Sequence, residues 1–236
     1  MLVVTAGNNK YDYQKTIRFC LDKCKQFNYK TIVYDLGGLG FGYPVNDSRC
    51  TSAHRNIVYS MKPELILDAM QYASPTELVA WIDGDATLIA PIDELETDIF
   101  DVGVTVRPKV NRRKTSYINA GVFFVRNTYN GKQFMKYWIS QMPAVPPLHT
   151  KQKPKGYSDQ EVLESILLSS VEVIPWDAFN TTHSVAGANL KILEGDIYNN
   201  LRVHEPETRE APGIAKILHF RNHTMDRLDK YAEDYL

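Results

Sequence analysis

The apolar run Leu78-Val79-Ala80-Trp81-Ile82 leads directly into Asp83-Gly84-Asp85 and then into Ala86-Thr87-Leu88-Ile89. Two carboxylates at the end of such a run need a reason, because isolated charge is costly to remove from water. In an extended or tightly turned segment, residues two apart project to the same side. Asp83 and Asp85 can therefore reach one divalent cation together. Hard oxygen donors suit Mg²⁺ or Mn²⁺, and such sites commonly share the ion with substrate phosphates. The triplet thus points to chemistry on a nucleoside diphosphate. A plain surface turn is the competing reading, since Asp-Gly favours tight reversals.

Other residues with chemistry to offer stand at comparable junctions. Thr5, Ala6 and Asn8 end the first apolar run, where backbone groups can read a base edge, and Tyr11 can stack on the base or simply pack at a helix start. Asp35 closes the second run and can accept a ribose hydroxyl. Arg55 and Lys62 precede the acidic triplet and can reach phosphate or donor sugar, although exposed helix charges are usually only solvated. Asn119-Ala120-Gly121 offers an amide for sugar hydroxyls and small residues that let backbone approach a ligand. A bulge in a packed strand is the alternative there, and the polar Asn before so apolar a run speaks against it. His219 lies in a late apolar run and is read as a metal ligand rather than a satisfied buried imidazole. His204 and His223 have no such context.

The elements that position these residues follow from periodicity. Leu2 to Ala6, Thr31 to Leu36, Leu78 to Ile82, Asp101 to Arg107, Ile118 to Arg126, Val171 to Ile174 and Ile214 to Phe220 read as strands. Tyr13 to Phe27, Gln133 to Gln141 and Asp159 to Ser169 read as helices, and Pro63 opens another through Ala73, as proline does at a first helical position. Ser158 and Glu161 form a capping box for the Asp159 helix, which is the plain account of the carboxylates there. Alternating strands and helices imply an α/β fold with a mainly parallel sheet and helices on both faces. Ligands on such sheets bind beyond the carboxyl ends of the strands. Gly37 to Gly42 lacks the glycine spacing of a dinucleotide fingerprint and reads as a turn. Pro143 to Gly156 reads as an irregular loop.

Bulk properties narrow the class. The 236 residues suffice for one sizeable domain, and 27 basic against 28 acidic residues leave a net charge of −1. No basic stripe marks a nucleic-acid groove, and Arg112-Arg113-Lys114 is too short to make one. Cys20, Cys24 and Cys50 do not make a disulfide framework; with Cys20 and Cys24 packed on one helix, a reducing, cytoplasmic setting is expected. No run is long enough to span a bilayer, and Met1-Leu2-Val3-Val4 reads as a strand rather than a leader. The sequons at Asn46, Asn180 and Asn222 are then chance matches.

Five segments, in this order, resemble glycosyltransferases of the GT-A fold, most closely the retaining, glycogenin-like and bacterial galactosyltransferase-like family. They are Val3-Val4-Thr5-Ala6-Gly7-Asn8 with Tyr11, Ala80-Trp81-Ile82-Asp83-Gly84-Asp85, Tyr117 to Arg126, Tyr157-Ser158-Asp159-Gln160-Glu161 and Lys216-Ile217-Leu218-His219-Phe220. The resemblance implies one Rossmann-like domain over 1–236, with a nucleotide-binding part at about 1–110 and an acceptor-side part at about 111–236. It implies Mn²⁺ or Mg²⁺ on Asp83, Asp85 and His219, and a UDP-sugar against Thr5, Ala6, Asn8, Tyr11, Lys62, Trp81, Asp83, Gly84, Asn119, Ala120 and Gly121. Asp159 would bind sugar hydroxyls, Gln160 would lie near the anomeric carbon, and transfer to a glycan or other hydroxyl acceptor would retain configuration. After the late histidine the family usually carries glycine and then Lys-Pro-Trp. Here Arg221-Asn222-His223-Thr224-Met225-Asp226-Arg227 stands instead and the phosphate-binding lysine is missing; Arg221, His223 and Arg227 are the candidates to substitute for it. Two rivals share the architecture: a sugar nucleotidyltransferase and a non-catalytic carbohydrate-binding protein. Thr5 to Lys10 lacks the arginine of the first, and both carboxylates of the triplet are kept, against the second.

Overall fold

A computed structural model describes residues 1–7, 11–36, 52–107, 117–142, 159–170, 179–201 and 214–220, with backbone alone at 11–13, 52–60 and 170. In chain order the strands are β1 (Leu2–Gly7), β2 (Lys30–Asp35), β3 (Leu78–Ile82), β4 (Ala86–Leu88), β5 (Val102–Val106), β6 (Ile118–Arg126), β7 (Thr182–Val185), β8 (Ala188–Glu194) and β9 (Ile217–His219). The helices are α1 (Tyr11–Gln26), α2 (Ser52–Ala69), α3 (Glu94–Thr97), α4 (Tyr129–Gln141), α5 (Asp159–Ser170) and α6 (Gly195–Tyr198).

Seven strands form one sheet in the order β2-β1-β3-β6-β5-β8-β7, and β4 pairs with β9 in a second, two-stranded sheet. In the large sheet β1, β2 and β3 run together, β6 opposes both β3 and β5, β8 follows β5, and β7 opposes β8 at the edge. Only β6 and β7 are therefore reversed, which makes the sheet mainly parallel as expected. The central strands β3 and β5 are buried throughout, and β6 all but its last residue. Strands covered on both faces read as near-continuous apolar runs, which is why periodicity found them. Val79, Trp81, Phe123 and Val125 share a core with Ile66 of α2, Met70 just after it, Phe134 and Trp138 of α4, and Leu163 and Leu167 of α5. Leu78, Ala80, Ile82 and Phe124 meet Cys20 and Cys24 of α1 with Leu88 and Ile92. Both thiols are buried and form no disulfide.

Several elements depart from their expected bounds. Pro63 does not open α2 but sits inside it. Proline removes one backbone hydrogen bond there, yet Lys62 beside it is drawn into buried ion pairs and Ile66 and Ala69 pack on the sheet. Tertiary contacts override propensity. Helix α4 starts four residues before Gln133, because Thr128 caps it by accepting from the Gly131 N–H at 3.0 Å. The hairpin of β7 and β8 went unread. Its turn residues Ala186 and Gly187 both have positive φ (49° and 78°), the geometry of a tight primed turn usually signalled by Asn-Gly; alanine in the first place hides it. The late strand is shorter than Ile214 to Phe220. The expected strand Val171 to Ile174, the loops 37–42 and 143–156, and the cap Ser158 lie outside the described residues.

Candidate active site

The acidic triplet is a turn tied at both ends. The Asp83 N–H donates to the Gly121 carbonyl at 2.8 Å, which fastens the end of β3 to β6, and the Ala86 N–H donates to the Asp83 carbonyl at 2.8 Å, which reverses the chain into β4. In the small sheet Ala86 stands opposite His219, and the Phe220 N–H donates to the Asp85 carbonyl at 2.8 Å. Pairing β4 with β9 thus delivers the late histidine to the triplet. One ligand atom from each of Asp83, Asp85 and His219 lies within 4.8 Å of the other two, and His219 Nε2 stands 3.2 Å from Asp85 Oδ1. Two carboxylates and an imidazole are a donor set that could hold a divalent cation.

Charge in this corner is balanced across chain-distant groups. Lys62 is not an exposed helix lysine but 6% exposed. Its Nζ forms ion pairs with Asp159 Oδ2 at 2.7 Å and Asp83 Oδ1 at 2.9 Å, and donates to the Ala120 carbonyl at 2.9 Å. Burial opposes the ammonium, but the Asp159 and Asp83 carboxylates outweigh it and hold Lys62 above its ordinary range. Trp81 Nε1 also donates to Asp83 Oδ1, at 2.6 Å. Burial pushes the Asp83 carboxyl up, against the pull of Lys62 and with added repulsion from Asp85. Burial acts the same way on Asp85, yet His219 overrides it and holds that carboxyl below its usual range. Neighbouring carboxylates driven apart in this way mark sites built for charge.

The tripeptide Asn119-Ala120-Gly121 does sit in a bulge, contrary to the preferred reading of the sequence. Val104 pairs with Phe123 and Val106 with Ile118, so the β5–β6 register breaks across this stretch. Consequently Ile118 and Ala120 face the same core as Phe123 and Val125, a parity change that a regular strand forbids. The bulge turns groups towards the acidic corner. Asn119 Oδ1 accepts from its own Gly121 N–H at 2.9 Å, the Ala120 carbonyl meets Lys62, and the Ala120 N–H donates to Gln160 Oε1 at 3.4 Å. Arg107 Nη2 also reaches Gln160 Oε1, at 3.4 Å, while its Nε donates to the Ile118 carbonyl at 3.0 Å.

Of the expected site residues, Asp83, Asp85, His219, Trp81, Lys62, Ala120, Gly121, Asp159 and Gln160 are joined by these contacts, with Asn119 in the bulge and Gly84 buried within the turn. Thr5 and Ala6 are buried in β1, whose Val4 pairs with Trp81. Asp35 is exposed at the end of β2. Asn8, Arg221, His204, His223 and Arg227, and the side chains of Tyr11 and Arg55, lie outside the described residues. Sequence reasoning missed Thr105, Arg107 and Asn199. Asn199 and Asn200 are 2% and 0% exposed between Tyr198 and Leu201. Two amides set between apolar neighbours were the available signal, because buried amides are normally hydrogen-bonded to something specific.

Residues 74–203, more than half of the chain, match the family model of nucleotide-diphospho-sugar transferases. The chain belongs to that family, and it is a glycosyltransferase with a GT-A fold. Among solved structures it is similar to a glycosyltransferase involved in the glycosylation of the major capsid of PBCV-1, with a TM-score of 0.61 and 14% identity over 97% of this chain and 98% of that one. It is similar also to the galactosyltransferase LgtC in complex with donor and acceptor sugar analogs (TM-score 0.51, 14% identity, 100% of this chain and 96% of that one). The apo-form glycosyltransferase GlyE of Streptococcus pneumoniae TIGR4 gives a TM-score of 0.50 at 13% identity, over 94% of this chain and 54% of that one. At such identity these likenesses establish the fold. No curated protein matches the sequence. Among the described residues no helix is long and apolar enough to cross a membrane.

Proposed function

We propose that the protein transfers a sugar from a UDP-sugar to a glycan or other hydroxyl acceptor, with Mn²⁺ or Mg²⁺ and with retention of configuration. The observation that carries this reading is the convergence of Asp83, Asp85 and His219 ligand atoms within 4.8 Å of one another from two distant stretches of chain. These residues would hold the cation, which supplies Lewis-acid stabilisation of charge growing on the leaving diphosphate. The rest of the work falls to the chain itself. Lys62 fixes Asp83 and neutralises Asp159. The end of β1 offers backbone to the base, and the bulge presents Asn119 and Gly121 to the donor sugar. An inverting reaction needs a carboxylate base at the acceptor hydroxyl. Asp159, 4% exposed and paired with Lys62, is poorly placed for that work, which leaves Glu161, exposed in the first turn of α5, as the base that an inverting reaction would use. Gln160, held by Arg107 and the Ala120 N–H, supports retention. In this reading residues of about 1–110 bind the nucleotide and those of about 111–236 face the acceptor.

Thermal melting against a panel of nucleotide sugars, with and without Mn²⁺, tests the proposal, because a ligand that binds the folded state raises its apparent stability. One UDP-sugar should raise the melting temperature only when Mn²⁺ is present. Asp85→Ala should remove both that shift and sugar transfer while the circular dichroism spectrum stays native. Transfer by Asp85→Ala in chelator-treated buffer would overturn the cation's role.

A further inference from the structure

Asn199 follows the single turn of α6 and reaches the imidazole of His219. Its Nδ2 donates to the Asn119 carbonyl oxygen at 3.1 Å and to Thr105 Oγ1 at 2.8 Å. The Thr105 hydroxyl hydrogen has acceptors of its own, the Asn119 carbonyl at 2.9 Å and the Val122 carbonyl at 3.3 Å, so its lone pair is available to Nδ2. A backbone carbonyl only accepts, which fixes the amide: Nδ2 faces the bulge and Oδ1 faces His219 Nδ1, 2.9 Å away. An amide oxygen cannot donate either. His219 Nδ1 therefore carries the hydrogen. When a cation takes Nε2, the nitrogen that faces Asp85, the ring keeps its hydrogen on Nδ1. The far-nitrogen partner of a ligating histidine sets its tautomer and orientation.

We propose that Asn199 is the positioning residue of the cation site. It holds His219 in the Nδ1–H tautomer, aims Nε2 at the carboxylates, and ties the ring to the Asn119 carbonyl beside the donor sugar. The inference rests on the reading of Asp83, Asp85 and His219 as ligands. It adds that the late histidine and the bulge of β6 move as one unit, through a side chain that touches neither cation nor substrate. No substrate is needed for that coupling to be present.

The test is made on the metal-free protein first. Long-range ¹H–¹⁵N correlation spectra of ¹⁵N-histidine-labelled protein distinguish the two neutral tautomers, and His219→Gln identifies the signal. The wild type should show Nδ1–H. Asn199→Leu should move His219 to a mixture rich in Nε2–H, whereas Asn199→Asp, which keeps an acceptor, should leave Nδ1–H in place. Mn²⁺ affinity without donor, read by titration calorimetry, should fall about 10–100-fold in Asn199→Leu. Should Asn199→Leu fail to fold, Asn199→Ser carries the same expectation, since its hydroxyl falls short of the ring. Wild-type tautomer and affinity in the Leu or Ser variant would overturn the positioning role while leaving the ligand assignment standing. A wild-type protein with the Nδ1–H ring but no Mn²⁺ binding would overturn the ligand assignment, and Asn199's part in it.

Discussion

Gly121 shows how tightly single residues are constrained in this corner. A Cβ there would lie 2.2 Å from His219 Cε1 and 2.7 Å from Nδ1. The ring cannot swing aside at no cost, because Asn199 holds one nitrogen and Asp85 faces the other. Overpacking of this kind typically costs about 1–3 kcal/mol. Gly121→Ala should therefore remain folded, with a urea midpoint lowered accordingly, but lose about tenfold or more in Mn²⁺ affinity by titration calorimetry. An affinity equal to wild type would show that the ring does not ligate from this position. Asp83, Asp85 and His219 were legible in the sequence because charge and imidazole interrupt apolar runs, and that anomaly is local. Lys62 was legible only as a helix lysine in reach of phosphate or donor sugar; its burial and its pairing with Asp159, a residue far along the chain, were not. Asn199 was not either, because its meaning lies wholly in what the fold brings to its two ends.

Several elements meet at Lys62. Its ammonium joins α2 to the turn after β3, to the bulge of β6 and to the first residue of α5. Removing one partner of a buried ion pair leaves uncompensated charge and typically costs about 3–5 kcal/mol. Lys62→Met should thus lower the unfolding free energy by about that amount, because Asp159 keeps its carboxylate in a buried place. Lys62→Met with Asp159→Leu should recover part of the loss; equal destabilisation in single and double variants would mean that the pair is not the source. Strands β1, β3, β5 and β6 were legible because doubly covered strands are continuously apolar, and α1 and α5 because one face of each is. What escaped reading depends on contacts with other elements. Pro63 sits inside a helix held down by packing, the bulge of β6 appears only through its register with β5, and the hairpin of β7 and β8 turns on an alanine at positive φ.

Across the whole molecule, the segment around α3 is a clasp between the two ends of the described chain. Arg126 donates to the carbonyls of Leu95, Glu96 and Asp98 at 2.6–2.8 Å. Tyr29, just after α1, donates to Asp93 at 2.5 Å, and Tyr198 of α6 donates to Glu94 at 2.8 Å. Burial, and then the carboxylate each phenol faces, push both hydroxyls above their ordinary range. A raised folded-state pKa stabilises the protein fully below the unfolded value, which is about 10 for tyrosine. Above that pH the unfolded chain gives up protons that the folded chain keeps. Stability must then fall as pH rises, by about 1.4 kcal/mol per pH unit for each tyrosine that ionises only when unfolded. Urea midpoints measured between about pH 9 and pH 11 should decline steeply in the wild type. Tyr29→Phe and Tyr198→Phe together should start lower at neutral pH, having lost two bonds to carboxylates, and decline less. An unchanged alkaline slope in the double variant would place the titrating groups elsewhere and remove the clasp as their cause.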